Sequence, residues 1–126
     1  MIQNGTFLQI VDNLAIKEIK SIRILGGLKR KNGKLGNFIT ASIKKAVPRK
    51  TKNLGLKKGN VTLALIVQTN TITNRFDGQK VKYLKNAAIL VDKQKKIFGS
   101  KMDGAICKEF RKKKDIKFTN SSFQVI

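Results

Sequence analysis

Near its middle the chain reads Val61-Thr62-Leu63-Ala64-Leu65-Ile66-Val67, a run that first alternates apolar and polar residues and then becomes continuously apolar. A short, continuously apolar run that is rich in β-branched residues indicates a strand buried on both faces. We therefore expect this strand to lie at the centre of the core, with further strands packed around it.

Shorter strand patterns lie on both sides of this run. In residues 38–44 the alternation places Ile39, Ala41 and Ile43 on one face. Downstream, Asp77-Gly78 is a strong signal for a hairpin turn. Many short strands with turn-rich connections predict a small closed barrel, because closure removes exposed sheet edges. The expected strands cover residues 6–11, 19–25, 38–44, 61–67, 79–83 and 87–91.

A helical pattern is present only near the C-terminus. Ile106 and Phe110 form an apolar i, i+4 pair, and Asp103 precedes them where it can cap a helix. We expect one short helix over residues 105–112. The chain is then a single, mainly β domain, with the barrel over about residues 1–92 and a helical C-terminal region over about residues 93–126.

The net charge carries the main indication of function. The 126 residues include 28 Lys and Arg, 7 Asp and Glu and no His, which gives a formal charge of +21 at pH 7. A hydrophobic fraction of 40 % is enough for one buried core. A charge of this size destabilises a compact fold unless a polyanion neutralises it, which indicates nucleic acid or an acidic membrane as the partner.

The excess charge is concentrated in two loops. Residues 28–34 follow the second expected strand, and residues 48–59 follow the third, where Pro48 ends the pairing. The acidic residues that normally balance a solvated charged face are missing from both loops. We therefore predict that these loops and the neighbouring strands bind phosphates. The predicted contacts are Lys29, Arg30, Lys31, Lys34, Lys44, Lys45, Arg49, Lys50, Lys52, Lys57, Lys58, Arg75, Lys80 and Lys82.

The aromatic residues help to define the kind of nucleic acid. Seven Phe, one Tyr and no Trp are too few, and lie too close to expected core positions, for the stacking platform of a single-strand binder. We therefore expect the protein to read the backbone and the shape of a large folded RNA.

The residues needed for catalysis or metal binding are sparse. Without His, the chain cannot form a Ser-His-Asp or Cys-His nucleophile system. The single cysteine, Cys107, excludes an internal disulfide and is interpreted as a small, half-buried helix residue. The acidic residues are scattered and are expected to serve as caps, turn residues and ion-pair partners. We expect no enzyme activity, no cofactor and no metal.

Two other functions compete with RNA binding. A cationic membrane-surface or antimicrobial protein would need an amphipathic helix with a broad apolar face, and the sequence offers none. An RNA-processing enzyme ranks third. The sequence shows no transmembrane run, secretory signal or transit peptide, so we expect neither a membrane partner nor a targeting segment.

The composition also indicates an origin. The chain has 23 Lys but 5 Arg, together with 15 Ile and 10 Asn. Codons for Lys, Ile and Asn are rich in A and T, so this mixture is typical of an A/T-rich genome. We expect an organelle-encoded mitochondrial protein first, and otherwise a protein of a plastid or of the cytoplasm of a low-GC bacterium.

Several blocks of the sequence are similar to one known family. They are Met1-Ile2-Gln3, Asp12-Asn13, Leu25-Gly26-Gly27, the block from Ile43 to Arg49, Ala64-Leu65-Ile66-Val67, Asp77-Gly78, Tyr83, Asn86, Ile89-Leu90, Lys96-Ile97-Phe98-Gly99, Glu109 and Arg111. On these residues the chain resembles the family of bacterial-type large-subunit ribosomal protein fourteen, almost from end to end. It departs from the family pattern at Leu14-Ala15, where Ser-Gly is usual, and in the longer loop of residues 48–59.

The resemblance implies a five-stranded β-barrel with a projecting β-ribbon and a short helical C-terminal region. It also implies a place on the intersubunit side of the large ribosomal subunit, with binding to large-subunit rRNA and bridges to small-subunit rRNA. The implied protein partners are large-subunit ribosomal proteins three and nineteen and the ribosomal silencing factor. By motif match, the intersubunit and silencing-factor face would include Lys95, Lys96, Phe98, Lys108 and Arg111.

Overall fold

The computed structural model describes residues 1–12, 15–27, 29–47, 56–99, 102, 104–112 and 124–125. At residues 111–112 and 124–125 this description is restricted to the backbone. Arg49, Lys50, Lys52 and Asp103 lie outside the described residues, as does the side chain of Arg111.

Five strands form a closed barrel, as the sequence predicts. The barrel order is β1-β2-β3-β4-β7, and it closes where β7 pairs parallel to β1, with Gln9 opposite Ala87. The remaining pairings between neighbouring barrel strands are antiparallel. The barrel strands are β1 (Phe7–Ile10), β2 (Ile16–Ile24), β3 (Phe38–Ala46), β4 (Val61–Gln68) and β7 (Ala87–Val91), and the shorter strands β5 (Thr73–Asn74) and β6 (Lys80–Val81) form a separate two-stranded ribbon.

Strand β4 is buried on both faces because two hydrophobic cores lie on either side of it. Ala64 and Ile66 point into the barrel, whereas Leu65 and Val67 point outward into a second cluster. Strand β7 divides its side chains in the same way. We call the barrel interior the inner core; its buried residues are Ile2, Leu8, Ile16, Ile19, Ile24, Ile39, Ala41, Ile43, Leu56, Ala64, Ile66, Ala88 and Leu90.

The second cluster, here called the outer core, lies between the outer faces of β4 and β7 and the chain segments that cover them. Its buried members from the barrel strands and from the residue after β1 are Val11, Leu65, Val67, Ala87, Ile89 and Val91; those from the covering segments are Val81, Tyr83, Met102, Ile106, Cys107 and Phe110. The ribbon and the C-terminal segment are thus attached to the barrel by apolar packing.

The C-terminal segment differs from the expected helix. Ala105 and Ile106 form a strand, β8 (Ala105–Ile106), which pairs parallel to β9 (Gln124–Val125), and a 3-10 helix begins at Lys108 and ends at Lys112. Gln68 donates a hydrogen bond from Nε2 to the Ala105 carbonyl, and Gly104 has a φ of 96°, which turns the chain immediately before β8. These backbone constraints override the i, i+4 pattern, so Cys107 lies just before the helix.

The strand directions determine which loops share an end of the barrel. Because β2, β3, β4 and β7 are successively antiparallel, the β2–β3 connection and the β4–β7 connection, which contains the ribbon, lie at one end. The β1–β2 and β3–β4 connections lie at the opposite end. We call these the ribbon end and the hairpin end.

Candidate nucleic-acid interface

Most of the predicted phosphate contacts within the described residues are exposed, and they fall into two groups. Lys29, Arg30, Lys31 and Lys34 follow β2 and lie at the ribbon end, together with Lys80 and Lys82 of the ribbon. The group at the hairpin end is Lys44, Lys45, Lys57 and Lys58. The fold therefore does not gather these residues into one patch but places them at both ends of the barrel.

A cleft of about 310 Å³ brings the first basic loop close to the turn that follows β7. Arg30 comes from the loop, and Lys93 and Lys95 come from the turn. Its other lining residues are Leu25, Gly26, Gly36, Asn37, Phe38 and Leu63. Three cations on an apolar floor form a concave site that fits phosphate groups and their sugars.

Local backbone geometry positions both sides of this cleft. Gly26 has a φ of 110°, and its carbonyl accepts a hydrogen bond of 3.4 Å from Arg30 Nη1. The positive φ favours glycine at this position, and a Cβ there would lie 2.8 Å from that guanidinium nitrogen, so the Arg30 side chain would have to shift. On the other side, Lys95 has a φ of 62° in a turn closed by a 2.8 Å hydrogen bond from its amide to the Asp92 carbonyl.

Lys95 also contacts the aromatic residue in the cleft. Its Nζ lies 5.1 Å from the centroid of the Phe38 ring, which is a cation–π distance. The sequence indicates Lys95 through the family resemblance, but it does not single out Lys93 or Phe38. Lys93 and Phe38 are identified only by the fold, because the turn after β7 lies beside the start of β3.

Arg75 has different surroundings from the other predicted contacts. Its side chain is 10 % exposed and forms a bidentate ion pair with Glu109, with Nε 2.6 Å from Oε1 and Nη2 3.3 Å from Oε2. Burial would raise the pKa of Glu109, but a backbone hydrogen bond and the guanidinium together lower it below its ordinary value. Arg75 is therefore a structural residue that joins the ribbon to the C-terminal segment.

Several of the described acidic residues make contacts that stabilise the fold. Asp77 Oδ1 accepts the Gln79 amide at 3.0 Å in the ribbon turn, and Glu18 lies 3.1 Å from Lys45 Nζ. Asp12 is buried and accepts the Leu90 amide at 3.3 Å through Oδ2. Burial raises the pKa of Asp12 to about 7, although this hydrogen bond lowers it in part.

Cys107 and Tyr83 form a buried polar contact inside the outer core. The Tyr83 hydroxyl lies 3.2 Å from Cys107 Sγ, and both side chains are buried. Burial, with a contribution from this hydrogen bond, raises the pKa of Tyr83 above its ordinary value. The cysteine is more deeply buried than the sequence indicates, and its surroundings are those of a packing residue.

The residues predicted for the intersubunit face differ in exposure. Lys95, Lys96 and Lys108 are exposed, whereas Phe98 is half-buried and packs against the inner core. Lys95 and Lys96 lie in or beside the turn after β7, and Lys108 begins the 3-10 helix. Phe98 thus holds the turn against the barrel and leaves the lysines at the surface.

Two aromatic residues lie at the surface, contrary to the expectation from the sequence. Phe76 at the ribbon tip is fully exposed, and Phe7 on β1 is 53 % exposed. Phe7 lies beneath Lys20, whose Nζ is 5.5 Å from the ring centroid. Strand alternation places Phe7 outside the core, and the turn at the ribbon tip places Phe76 there. Composition alone reveals neither position.

The described part of the chain offers neither a metal site nor a membrane-spanning helix. This part contains no group of three or more His, Cys, Asp or Glu residues that could hold a metal ion. No described helix has the length and apolar character that crossing a membrane requires.

The fold and this surface define a small, strongly cationic β-barrel protein whose basic side chains surround a closed apolar core. A comparison with known families gives the more particular assignment. The family model described as ribosomal protein L14p/L23e matches residues 1–126, and the chain therefore belongs to this family. The resemblance noted in the sequence is confirmed. The protein is accordingly a structural component of the large ribosomal subunit.

Proposed function

We propose that this protein binds large-subunit rRNA through the basic surfaces at both ends of its barrel, and that the Arg30–Lys93–Lys95 cleft is a principal phosphate site. The proposed contacts are Lys29, Arg30, Lys31, Lys34, Lys44, Lys45, Lys57, Lys58, Lys80, Lys82, Lys93 and Lys95. We add Arg49, Lys50 and Lys52, which lie outside the described residues. Arg75 is left out because its side chain is 10 % exposed and is held by Glu109, whereas Lys45 keeps a 72 % exposed side chain beside Glu18.

The observation that carries this proposal is the lack of internal neutralisation. Even if each of the 7 acidic residues paired with one base, the chain would keep its formal charge of +21. Among the described acids, Glu18 and Glu109 form ion pairs with bases, whereas the carboxylates of Asp12 and Asp77 accept backbone amides. A surface with so much unbalanced charge is stabilised when phosphates approach and counterions are released.

We also propose that the turn after β7 and the start of the 3-10 helix face the small subunit. Lys95, on the cleft side of this turn, is assigned to large-subunit rRNA. Lys96 and Lys108 are exposed at these two places, and Arg111 lies in the same helix as Lys108. These residues would contact small-subunit rRNA in an intersubunit bridge and would form the docking face for the ribosomal silencing factor. Large-subunit proteins three and nineteen are the proposed neighbours, on the strength of the family membership.

We also propose a cellular compartment for this protein, on the basis of its composition. The low Arg content relative to Lys, with abundant Ile and Asn, supports a mitochondrial ribosome encoded by the organelle, with a plastid or a low-GC bacterium as the alternatives. Sequencing the encoding gene in its genomic context tests this directly. A nuclear gene without A/T bias would contradict it.

Salt dependence of rRNA binding tests the electrostatic proposal. A protein that neutralises six or more phosphates should give a slope of log K against log salt of roughly −4 or steeper. Binding of the full chain to a large-subunit rRNA fragment should therefore weaken sharply as salt rises. A slope of about −1 or shallower would show that the basic surface is not the binding surface.

Matched substitutions locate the cleft within that surface. The triple variant Arg30→Gln, Lys93→Gln, Lys95→Gln should make the slope shallower by about 2 units, because each lost phosphate contact removes about 0.7 to 0.9. Lys17→Gln is the control, since Lys17 is an exposed lysine of β2 outside the proposed contacts. The control removes one charge and the triple variant removes three. If the change in slope for the triple variant is only three times the change for Lys17→Gln, the cleft residues contribute no more than any other exposed lysine.

A separate measurement addresses the intersubunit face. Lys96→Glu should reduce the joining of large and small subunits on a sucrose gradient, while the protein stays in the large subunit. The same substitution should weaken capture of the silencing factor. Normal subunit joining with the reversed charge would contradict the proposed orientation.

A further inference from the structure

The β5–β6 ribbon has two chemically different faces. The register pairs Thr73 with Val81 and Asn74 with Lys80, so residues of the same parity share a face. Burial follows this parity: Thr73, Arg75, Val81 and Tyr83 are buried or half-buried, and the residues between them are exposed. The outward face, here called the ribbon face, consists of Ile72, Asn74, Phe76, Lys80, Lys82 and Leu84.

The apolar side chains of the ribbon face are almost completely open to water. Phe76 is fully exposed, Leu84 is 97 % exposed and Ile72 is 59 % exposed. Isolated apolar residues are common on protein surfaces, but three on one face of a short ribbon form a group that calls for a partner. Burying them against a partner would be favourable in proportion to the apolar area removed from water.

The turn at the ribbon tip holds Phe76 in a defined position. The Gly78 amide donates to the Arg75 carbonyl at 3.1 Å, and the Arg75 amide donates to the Gln79 carbonyl at 2.9 Å. Asp77 Oδ1 accepts the Gln79 amide from inside the same turn. On the inward face, the ion pair of Arg75 with Glu109 fixes the base of the tip. The Phe76 ring is therefore presented to solvent on an ordered support.

The charges on the ribbon face identify the chemistry of the partner. Lys80 and Lys82 are exposed on the same face as Phe76, about 6.8 Å apart along the strand. The one acid nearby, among the described residues of the ribbon, is Asp77, whose carboxylate takes part in the turn. Lysine is depleted from the cores of protein interfaces, whereas an aromatic ring beside cations is typical of surfaces that bind unpaired nucleotides.

We infer that the ribbon face binds an unpaired nucleotide of RNA, whose base stacks on Phe76 while Lys80 and Lys82 contact its phosphates. The inference rests on the proposed rRNA binding and adds one base-stacking site to a protein that otherwise reads backbone and shape. Ile72 and Leu84 would cover the edges of the base and the sugar. Stacking tolerates any base, so the site selects an unstacked nucleotide rather than a sequence.

The chain contains no Trp, so a tryptophan introduced at position 76 would be the single source of tryptophan fluorescence and would report on binding at that position. In the Phe76→Trp variant, binding of a single-stranded twelve-nucleotide oligoadenylate should quench the tryptophan fluorescence. A twelve-base-pair RNA duplex, which offers no unstacked base within the helix, should quench it much less. The Val61→Trp variant is the control, since Val61 is 60 % exposed at the start of β4, at the hairpin end of the barrel. Equal quenching in both variants, or no quenching by oligoadenylate, would overturn the inference.

Affinity measurements separate stacking from general apolar contact. Phe76→Ala should weaken oligoadenylate binding about fivefold or more without changing the salt slope, because no charge is lost. Phe76→Leu should behave like Phe76→Ala, and Phe76→Trp should bind as the unaltered chain does. Because the ring is exposed, these variants should fold, which circular dichroism checks. Full oligoadenylate affinity in the Phe76→Leu variant would show that ring stacking does not contribute to binding and would overturn the inference.

The two proposals fail in different ways. If the unaltered chain binds the rRNA fragment with a shallow salt slope, the proposed function is wrong. If that slope is steep and the cleft variant makes it shallower, but Phe76→Ala binds oligoadenylate normally, then rRNA binding holds and the stacking site is wrong. Lys80→Gln with Lys82→Gln should make the oligoadenylate slope shallower by about 1.4, at about 0.7 for each charge.

Discussion

The inner and outer cores share strands β4 and β7, yet they are closed in different ways. The inner core has aliphatic buried residues and is enclosed by backbone pairing between five strands. The outer core includes Tyr83, Met102 and Cys107, and side-chain bonds such as the Arg75–Glu109 pair lie along its rim. Backbone closure makes the barrel insensitive to any one surface contact, whereas the layer that carries the ribbon depends on a few specific contacts.

The sharpest test of this comparison is a truncation in the inner core. Ile19 is fully buried between Leu8 on β1 and Ile43 on β3. Ile19→Ala should lower the free energy of unfolding by about 4 kcal/mol, because strands held by backbone pairing cannot collapse into the cavity. Urea denaturation followed by circular dichroism measures the loss. A change below about 1 kcal/mol would mean that the barrel interior is loosely packed.

The buried carboxyl group of Asp12 should make the free energy of unfolding depend on pH. Its folded pKa of about 7 exceeds the value of 3.8 for the unfolded group, so the folded protein holds this proton more tightly. The stabilisation is fully present below about pH 4 and is lost as the pH rises through 7. Asp12→Asn, which keeps an acceptor for the Leu90 amide, should remove this slope and stabilise the protein at pH 8 by about 4 kcal/mol.

Thermal or urea unfolding between pH 4 and pH 8 checks the prediction for Asp12. The two proteins should be nearly equal in stability at pH 4 and should diverge as the pH rises. Parallel curves for the variant and the unaltered chain would show that Asp12 is ionised throughout this range.

A truncation in the outer core should have a smaller and more local effect. Phe110 is 3 % exposed and lies in the 3-10 helix, which can shift toward the space that a smaller side chain leaves. Phe110→Ala should therefore cost about 2 kcal/mol, less than the Ile19 substitution although the side chain is larger. Hydrogen exchange should accelerate in β8 and the ribbon, while β2 and β3 stay protected. Uniform acceleration would mean that the two cores unfold as one unit.

Removing the Arg75–Glu109 ion pair at the rim of the outer core should destabilise the protein less than Phe110→Ala does. Glu109→Gln removes the charge that faces Arg75, and the variant should lose less than half of the stability lost by Phe110→Ala. The difference should shrink in high salt, because the Glu109 side chain is half-exposed. Lys108→Gln is the control at the neighbouring exposed position. An effect that salt does not change would indicate a packing role for Glu109.

The smallest effect is expected for the polar contact inside the outer core. Tyr83→Phe removes the hydroxyl that lies 3.2 Å from Cys107 Sγ and keeps the ring in place. Sulfur forms weak hydrogen bonds, so the loss should be about 0.5 kcal/mol or less. A loss above about 2 kcal/mol would show that this contact organises the layer.

The barrel was predictable because buried strand positions are apolar in a regular pattern along the sequence. The run at residues 61–67 predicts a strand buried on both faces and the segment 87–91 predicts a strand, and in the structure each has a core on either side. The expected helix at residues 105–112 was wrong in its first half. Its spacing is helical, but pairing with Gln124–Val125 and the bond from Gln68 involve residues distant in sequence.

The candidate site was predictable in its charge but not in its geometry. Composition identifies the lysines, since few acids are available to balance them. The pairing of Arg75 with Glu109 joins residues far apart in the chain, and no local pattern reports it. The exposure of Phe76 and the meeting of Arg30 with Lys93 likewise depend on which turns approach each other in space.

The parallel contact between β1 and β7 has a consequence for how the protein is made. Gln9 pairs with Ala87, so the N-terminal strand emerges during synthesis long before its partner exists. Until then, one edge of β1 stays open to pairing with other chains, which is a recognised route to aggregation. Closure across such a sequence distance is also slow compared with hairpin formation. A newly made chain therefore passes through an interval in which the open edge of β1 could pair with another copy. Repulsion between the strongly positive copies opposes this pairing, so the excess of lysine also protects the chain against aggregation before the barrel closes.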